Sequence, residues 1–145
     1  MTGVQPRFTV LVMEPDVLPR SVFVRALERA GMRVVVCPRP DDLVALLAEH
    51  RPELLIIDAH LPQVNGLEWV GQLRQQGVTA ATRVMLVSSL AFPEVVQRAA
   101  AERVDDFLVK PVQVDEFLER VRRLLEPAEP AKPNSIGRET KTFRR

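Results

Sequence analysis

Asp58 closes the apolar run Leu54-Leu55-Ile56-Ile57 and is followed by Leu61-Pro62 and Asn65-Gly66. A carboxylate at the carboxyl end of a buried strand serves as an acid or base, a metal ligand or a nucleophile, and its neighbours decide which. Three further groups of residues stand at the ends of apolar runs. Glu14-Pro15-Asp16 follows the run from Phe8 to Met13, Ser88-Ser89 follows Val84 to Val87, and Lys110-Pro111 follows Phe107-Leu108-Val109. Brought to one edge, they would line a single cleft with an acidic cluster, a central aspartate, a hydroxyl and a lysine.

The elements that must position these residues are readable from the apolar pattern. Short apolar runs bounded by turn signals read as strands buried on both faces, and Val34-Val35-Val36 supplies a fifth. Helical spacing lies between them. Phe23, Ala26, Leu27 and Ala30 share one face of Ser21 to Ala30, with Asp16 as the expected N-cap and Gly31 as the stop. Asp41 to His50 places Leu43, Leu46 and Leu47 together. Gly66 to Gln76 places Leu67, Val70 (or Trp69) and Leu73 together, with Gly77 as the stop. Pro93 to Glu102 offers Val95 or Val96 with Ala99 and Ala100. Val114, Phe117, Leu118, Val121, Leu124 and Leu125 form the cleanest stripe. Five β–α units in strict alternation predict a doubly wound, five-stranded parallel sheet with helices on both faces.

Composition narrows the class of function. The chain has 145 residues, 46% hydrophobic and 27% charged, which suits one globular domain. Its net charge of +1 divides into +3 on residues 127–145 and −2 on 1–126, so the body is not a basic platform and nucleic-acid binding is not expected. A domain over 1–126 and a Pro-rich basic tail or linker over 127–145 are expected, the latter punctuated by Pro127, Pro130 and Pro133. Cys37 is the single cysteine, which excludes an intrachain disulfide and a cysteine-based zinc site. No apolar run approaches the roughly 20 residues of a membrane span, and no signal peptide is read at the start. A cytoplasmic location is expected.

The three blocks Leu54–Asp58 with Leu61-Pro62 and Asn65-Gly66, Val84-Met85-Leu86-Val87-Ser88-Ser89, and Asp106-Phe107-Leu108-Val109-Lys110-Pro111 resemble, in order and rhythm, the response-regulator receiver domains of two-component signalling. The resemblance covers about residues 8–126. It implies a flavodoxin-like (βα)5 fold with strand order 2-1-3-4-5. It also implies that Asp58 is the phospho-accepting nucleophile, served by a histidine kinase or phosphotransfer protein. Ser88 and Lys110 would stabilise the phosphoryl group, Ser88 and Phe107 would form the switch, and Lys110-Pro111 would be a cis peptide. Mg²⁺ would be held by Glu14, Asp58 and the backbone carbonyl of His60, with Asp16 as a possible further ligand. A downstream protein partner and a homodimer through the fourth and fifth helices are further expectations.

One position departs from the family pattern. Receivers carry two adjacent acids after the first strand, and here Glu14 is followed by Pro15, which has neither a side-chain oxygen nor an N–H. Two functions follow. One is a phosphorylation-controlled switch; the other is a phosphorylation-independent pseudo-receiver that acts as a protein-binding module. A small-molecule enzyme is not expected, since no Gly-rich phosphate loop is present. Asp16 reads first as a helix cap and second as a substitute ligand. Asn65-Gly66 reads as a turn and helix start, His50 and His60 as surface residues, and Cys37 as a small buried hydrophobe.

Overall fold

The apolar runs form one parallel sheet. The computed structural model describes residues 6–61, 64–90 and 92–126. Its five strands are β1 (Thr9–Met13), β2 (Arg33–Val36), β3 (Leu54–Asp58), β4 (Arg83–Ser88) and β5 (Asp106–Val109). They lie in the order β2-β1-β3-β4-β5, all parallel, as the β–α alternation predicts. The helices are α1 (Val17–Arg29), α2 (Leu43–His50), α3 (Gly66–Gln75), α4 (Pro93–Ala101) and α5 (Val114–Leu125). A 3₁₀ turn, Pro40–Asp42, precedes α2, and a two-residue antiparallel pair, His60–Leu61 with Val64–Asn65, precedes α3.

The strands lack hydropathic alternation because both faces are covered. Leu11, Met13, Leu55, Ile57, Val84 and Leu86 pack against α2 and α3 with Leu43, Leu47, Leu67, Val70 and Leu73. Val10, Val12, Leu54, Ile56, Met85 and Val87 turn to the opposite face and meet Phe23, Leu27, Phe117 and Val121 of α1 and α5. Phe23 and Phe117 stack there with ring centroids 4.7 Å apart. Such a pair contributes about 0.5–1.5 kcal/mol beyond the area it buries.

Local signals set the helix ends. Gly31 and Gly77 take φ +88° and +77°, the left-handed backbone that ends α1 and the turn after α3. Asn65 caps α3 by accepting from the Glu68 N–H at 3.1 Å. Three expectations need correction. Asp16 occupies the N-cap position of α1, but its side chain makes no cap hydrogen bond. Val114 is 42% exposed rather than part of the buried stripe of α5, because that stripe centres on Phe117, Val121 and Leu125. In α4 only Ala99 is buried, Val95 being half-buried and Ala100 exposed. The proposed tail, 127–145, and Pro62 of the Leu61-Pro62 pair lie outside the described residues.

Candidate functional site

Register brings the predicted residues to one edge. Met13 pairs with Ile57, Asp58 with Val87 and Ser88 with Val109, so the strands end level with one another. Glu14, Asp58, Ser88 and Lys110 therefore emerge at the carboxyl edge. They lie where the strand order reverses around β1 and β3, the position at which open α/β sheets bind their ligands.

Lys110 organises the site. Its Nζ lies 2.5 Å from Asp58 Oδ2 and 3.0 Å from Glu14 Oε2. The two carboxylates are buried, and the lysine head is largely shielded from solvent. The ammonium loses solvation by burial, but hydrogen bonds and attraction from Asp58 and Glu14 outweigh that loss and hold the Lys110 pKa above its ordinary value. The Glu14 pKa is raised as well, which for a carboxylate disfavours the charged form. Burial raises its pKa, with Asp58 adding repulsion, against the hydrogen bonds from the Asp16 N–H and Lys110.

Each carboxylate is also fixed by backbone. The His60 N–H donates to Asp58 Oδ1 at 2.6 Å, and the Asp16 N–H donates to Glu14 Oε2 at 3.1 Å. The His60 side chain is on the exposed side of the loop. The Asp16 carboxylate, free of the capping role, lies 3.7 Å from Lys110 Nζ and is 70% exposed. Arg20, which the sequence pattern did not single out, donates to the Glu14 carbonyl at 3.0 Å and the Pro15 carbonyl at 3.4 Å, anchoring the acidic loop. Nothing in sequence spacing signals these backbone contacts.

Ser88 is fully buried, and its Oγ accepts from the Leu90 N–H at 3.0 Å. The Lys110 N–H donates to the Ser88 carbonyl at 2.8 Å, tying β5 to β4 at the cleft. The Lys110–Pro111 peptide is cis, and Phe107 is half-buried against the α2–α3 side of the core. Leu18, Pro19, Val22, Pro111 and Val112 line an apolar cavity of about 400 Å³ beside Lys110.

The donor set fits a hard dication in part. Glu14 and Asp58 offer two carboxylates, and Glu14 Oε1 is buried without a hydrogen-bond partner. Mg²⁺ commonly uses one or two carboxylates and completes its shell with water. Among the described residues no third acidic, His or Cys side chain converges with these two, and Pro15 supplies none.

The fold and the site together define a class. Residues 10–122 match the response regulator receiver domain family, and the chain belongs to it. The chain is 34% identical over 104 residues to the phosphate regulon transcriptional regulatory protein PhoB of Rhizobium meliloti, covering 72% of this chain and 46% of that protein. It is also 34% identical over 110 residues to the sensor histidine kinase AruS of Pseudomonas aeruginosa, covering 74% of this chain and 11% of that protein. It thus spans less than half the length of either relative. The receiver domain of the Francisella response regulator 1452 superposes with a TM-score of 0.76 at 24% identity, over 85% of this chain and all of that one. Receivers are signalling modules of two-component systems. Among the described residues no helix is long and apolar enough to cross a membrane.

Proposed function

We propose that Asp58 accepts a phosphoryl group from a histidine on a partner kinase or phosphotransfer protein, and that the modified domain switches a protein-interaction surface. The observation that carries this reading is the buried Asp58–Lys110–Glu14 arrangement, with Lys110 Nζ 2.5 Å from the Asp58 carboxylate. In the transfer an Asp58 oxygen forms the new P–O bond while the P–N bond to the donor imidazole breaks, its electron pair staying on that nitrogen. Catalysis of such a step is mostly positioning and charge stabilisation. Lys110 supplies the positive charge. Ser88 Oγ already accepts from Leu90, so its own proton is the one free to donate to a phosphoryl oxygen. The apolar cavity rimmed by Leu18, Val22 and Pro111 gives the donor's helix a place to approach Lys110 and Asp58.

Glu14, Asp58 and the backbone carbonyl of His60 would hold Mg²⁺; Asp16, 70% exposed on the same loop, would have to turn inward to stand in for the oxygen that Pro15 lacks. When bound, the ion neutralises charge on the phosphoryl oxygens. The added phosphoryl charge biases Ser88 and Phe107, and through them the surface from α4 to α5. Leu90, Phe92, Val96 and Val109 are 39–57% exposed on that side, an apolar patch suited to a downstream protein or to a second copy through α4 and α5. Sedimentation with and without a phosphoryl mimic tests the homodimer; a strict monomer in both states removes it. We place the receiver at 1–126 and the protein in the cytoplasm, with no nucleic-acid contact.

Pro15 favours a second reading, a pseudo-receiver whose partner binding is independent of phosphorylation. Phosphate incorporation from a small phosphodonor, with and without Mg²⁺, separates the two. Mg²⁺-dependent labelling lost in Asp58→Asn supports the switch. Absence of labelling, with partner binding unchanged by Asp58→Asn or EDTA, supports the pseudo-receiver.

A further inference from the structure

A second cavity lies on the β2 side of the cleft. The loops after β1, β2 and β3, together with Arg20 of α1, enclose about 400 Å³. Small-molecule sites commonly span about 300–1,000 Å³. Met13, Cys37 and Leu61, all buried, form its floor, and Pro15, Pro38 and Pro40 stand in its walls. Proline fixes φ and leaves no N–H to be satisfied, so walls built from it are shaped before a ligand arrives. Asp58, Ser88 and Lys110 are not among the lining residues. Glu14 is, but its Oε2 is engaged by Lys110 and the Asp16 N–H.

Arg20 gives this cavity its charge. Its guanidinium is part-buried, and Nη1 bonds two neutral acceptors, the Glu14 and Pro15 carbonyls. Among the described residues no carboxylate pairs with it, whereas Arg74 at the opposite edge of the sheet meets Asp105 at 3.0 Å. A cation withdrawn from water without a counter-charge is unfavourable, and an anion offsets that loss. Arg39 stands at the rim, 71% exposed and 3.4 Å from Asp42. Asp41, also exposed, is the opposing carboxylate there, and two guanidiniums outnumber it.

We propose that this cavity binds a small organic anion, a carboxylate or phosphate on a compact apolar body. The anionic group pairs with Arg20, and the body rests on Met13, Leu61 and the proline walls. Binding there needs neither Mg²⁺ nor phosphorylation of Asp58, and gives the domain a small-molecule input of its own.

The test titrates the full chain, isotope-labelled for NMR and held in EDTA, with benzoate, phenyl phosphate and benzylammonium. Both anions are expected to give saturable shifts centred on the amides of Glu14, Cys37, Arg39, Asp41 and Leu61. They are expected to bind about tenfold or more tightly than benzylammonium. The tighter of the two identifies the head group as carboxylate or phosphate. Arg20→Gln is expected to weaken both anions about tenfold, the worth of one charge-assisted hydrogen bond. Arg39→Gln, at an exposed position, is expected to weaken them severalfold with an unchanged melting curve, and covers the case in which Arg20→Gln disturbs the acidic loop. Asp41→Asn is expected to tighten both. Absence of a saturable shift, an equal response to benzylammonium, or affinities unchanged in both arginine variants overturns the proposal. Shifts centred on Ser88 and Lys110 overturn it in favour of anion binding at the Asp58 cleft.

Discussion

Gly66 lies directly beneath the backbone of Asp58. A Cβ at Gly66 would stand 2.0 Å from the Asp58 carbonyl oxygen and 3.1 Å from Ala59 Cα. The Gly66 N–H donates to the Ala59 carbonyl at 2.8 Å, so the start of α3 is pinned against the end of β3 at the site. Both obstacles are backbone and cannot rotate away. Gly66→Ala is therefore expected to cost about 3 kcal/mol, read as a lowered urea midpoint at unchanged slope. A midpoint equal to wild type would mean that the β3–α3 junction yields without strain.

The single ammonium serving two buried carboxylates makes stability pH-dependent with a definite sign. Glu14 has a raised pKa through burial, so its contribution is most favourable below its ordinary 4.5 and is lost as pH rises through the folded value. In metal-free buffer with EDTA, Glu14→Gln is thus expected to melt above wild type at pH 7 and to show no gain at pH 4. Lys110 also has a raised pKa, so its contribution is present at and below its ordinary 10.5 and is lost only at higher pH. Lys110→Met leaves the carboxylates without their counter-charge. Its deficit is expected to be larger at pH 8 than at pH 4, where protonation relieves the repulsion. Thermal melts across pH 4–8 check both, and a pH-independent deficit contradicts the assignment.

Cys37 is buried just beyond β2, and its Sγ lies 3.1 Å from the Arg39 carbonyl. Burial, helped by the charge of Asp42, pushes the thiol from 9.0 up to about 11. Two pH units remove about a hundredfold of the thiolate, the reactive form. Native protein at pH 8 is expected to react with a disulfide reagent about two orders of magnitude more slowly than protein in guanidinium. Equal rates would place the thiol in solvent.

Arg74 of α3 ties together the opposite end of the sheet. Its Nη1 donates to the Thr79 carbonyl at 2.8 Å and the Thr82 carbonyl at 3.0 Å, and its Nη2 to the Arg103 carbonyl at 2.9 Å and Asp105 at 3.0 Å. Arg74→Ala leaves several of these acceptors unmet and is expected to cost about 3 kcal/mol. Lysine cannot reproduce a planar fork that spans two loops, so Arg74→Lys is expected to restore less than half. Full recovery with lysine in urea melts would show that charge alone suffices.

Much of the fold was legible because the signals are local. Short apolar runs, helical stripes and the glycines after α1 and α3 depend only on neighbouring residues, and they placed five strands and five helices correctly. The same runs set Glu14, Asp58, Ser88 and Lys110 at strand ends. Local reasoning failed where a side chain had two partners to choose between. Asp16 has the right type and position for a helix cap, yet its carboxylate is drawn toward Lys110. Val114 continues the stripe of α5 in spacing, yet it sits in the first turn facing the open α1–α5 groove and is 42% exposed. Asn65-Gly66 read as a turn and helix start, which the Asn65 cap of α3 bears out, but the close approach of Gly66 to Asp58 had no sequence signal.

By itself the sequence determined which elements form, in what order, and which chemical groups stand at their carboxyl ends, since hydropathic period and turn chemistry are properties of short segments. Only the tertiary structure decided which of those groups meet. Lys110 reaches Asp58 across 52 residues of chain and Glu14 across 96. Parallel register carries out that convergence, and it is fixed by packing on both faces of the sheet rather than by any local preference. The same register sets the loops after β1, β2 and β3 around the cavity of Arg20, Cys37 and Leu61, which no single segment of the chain encodes.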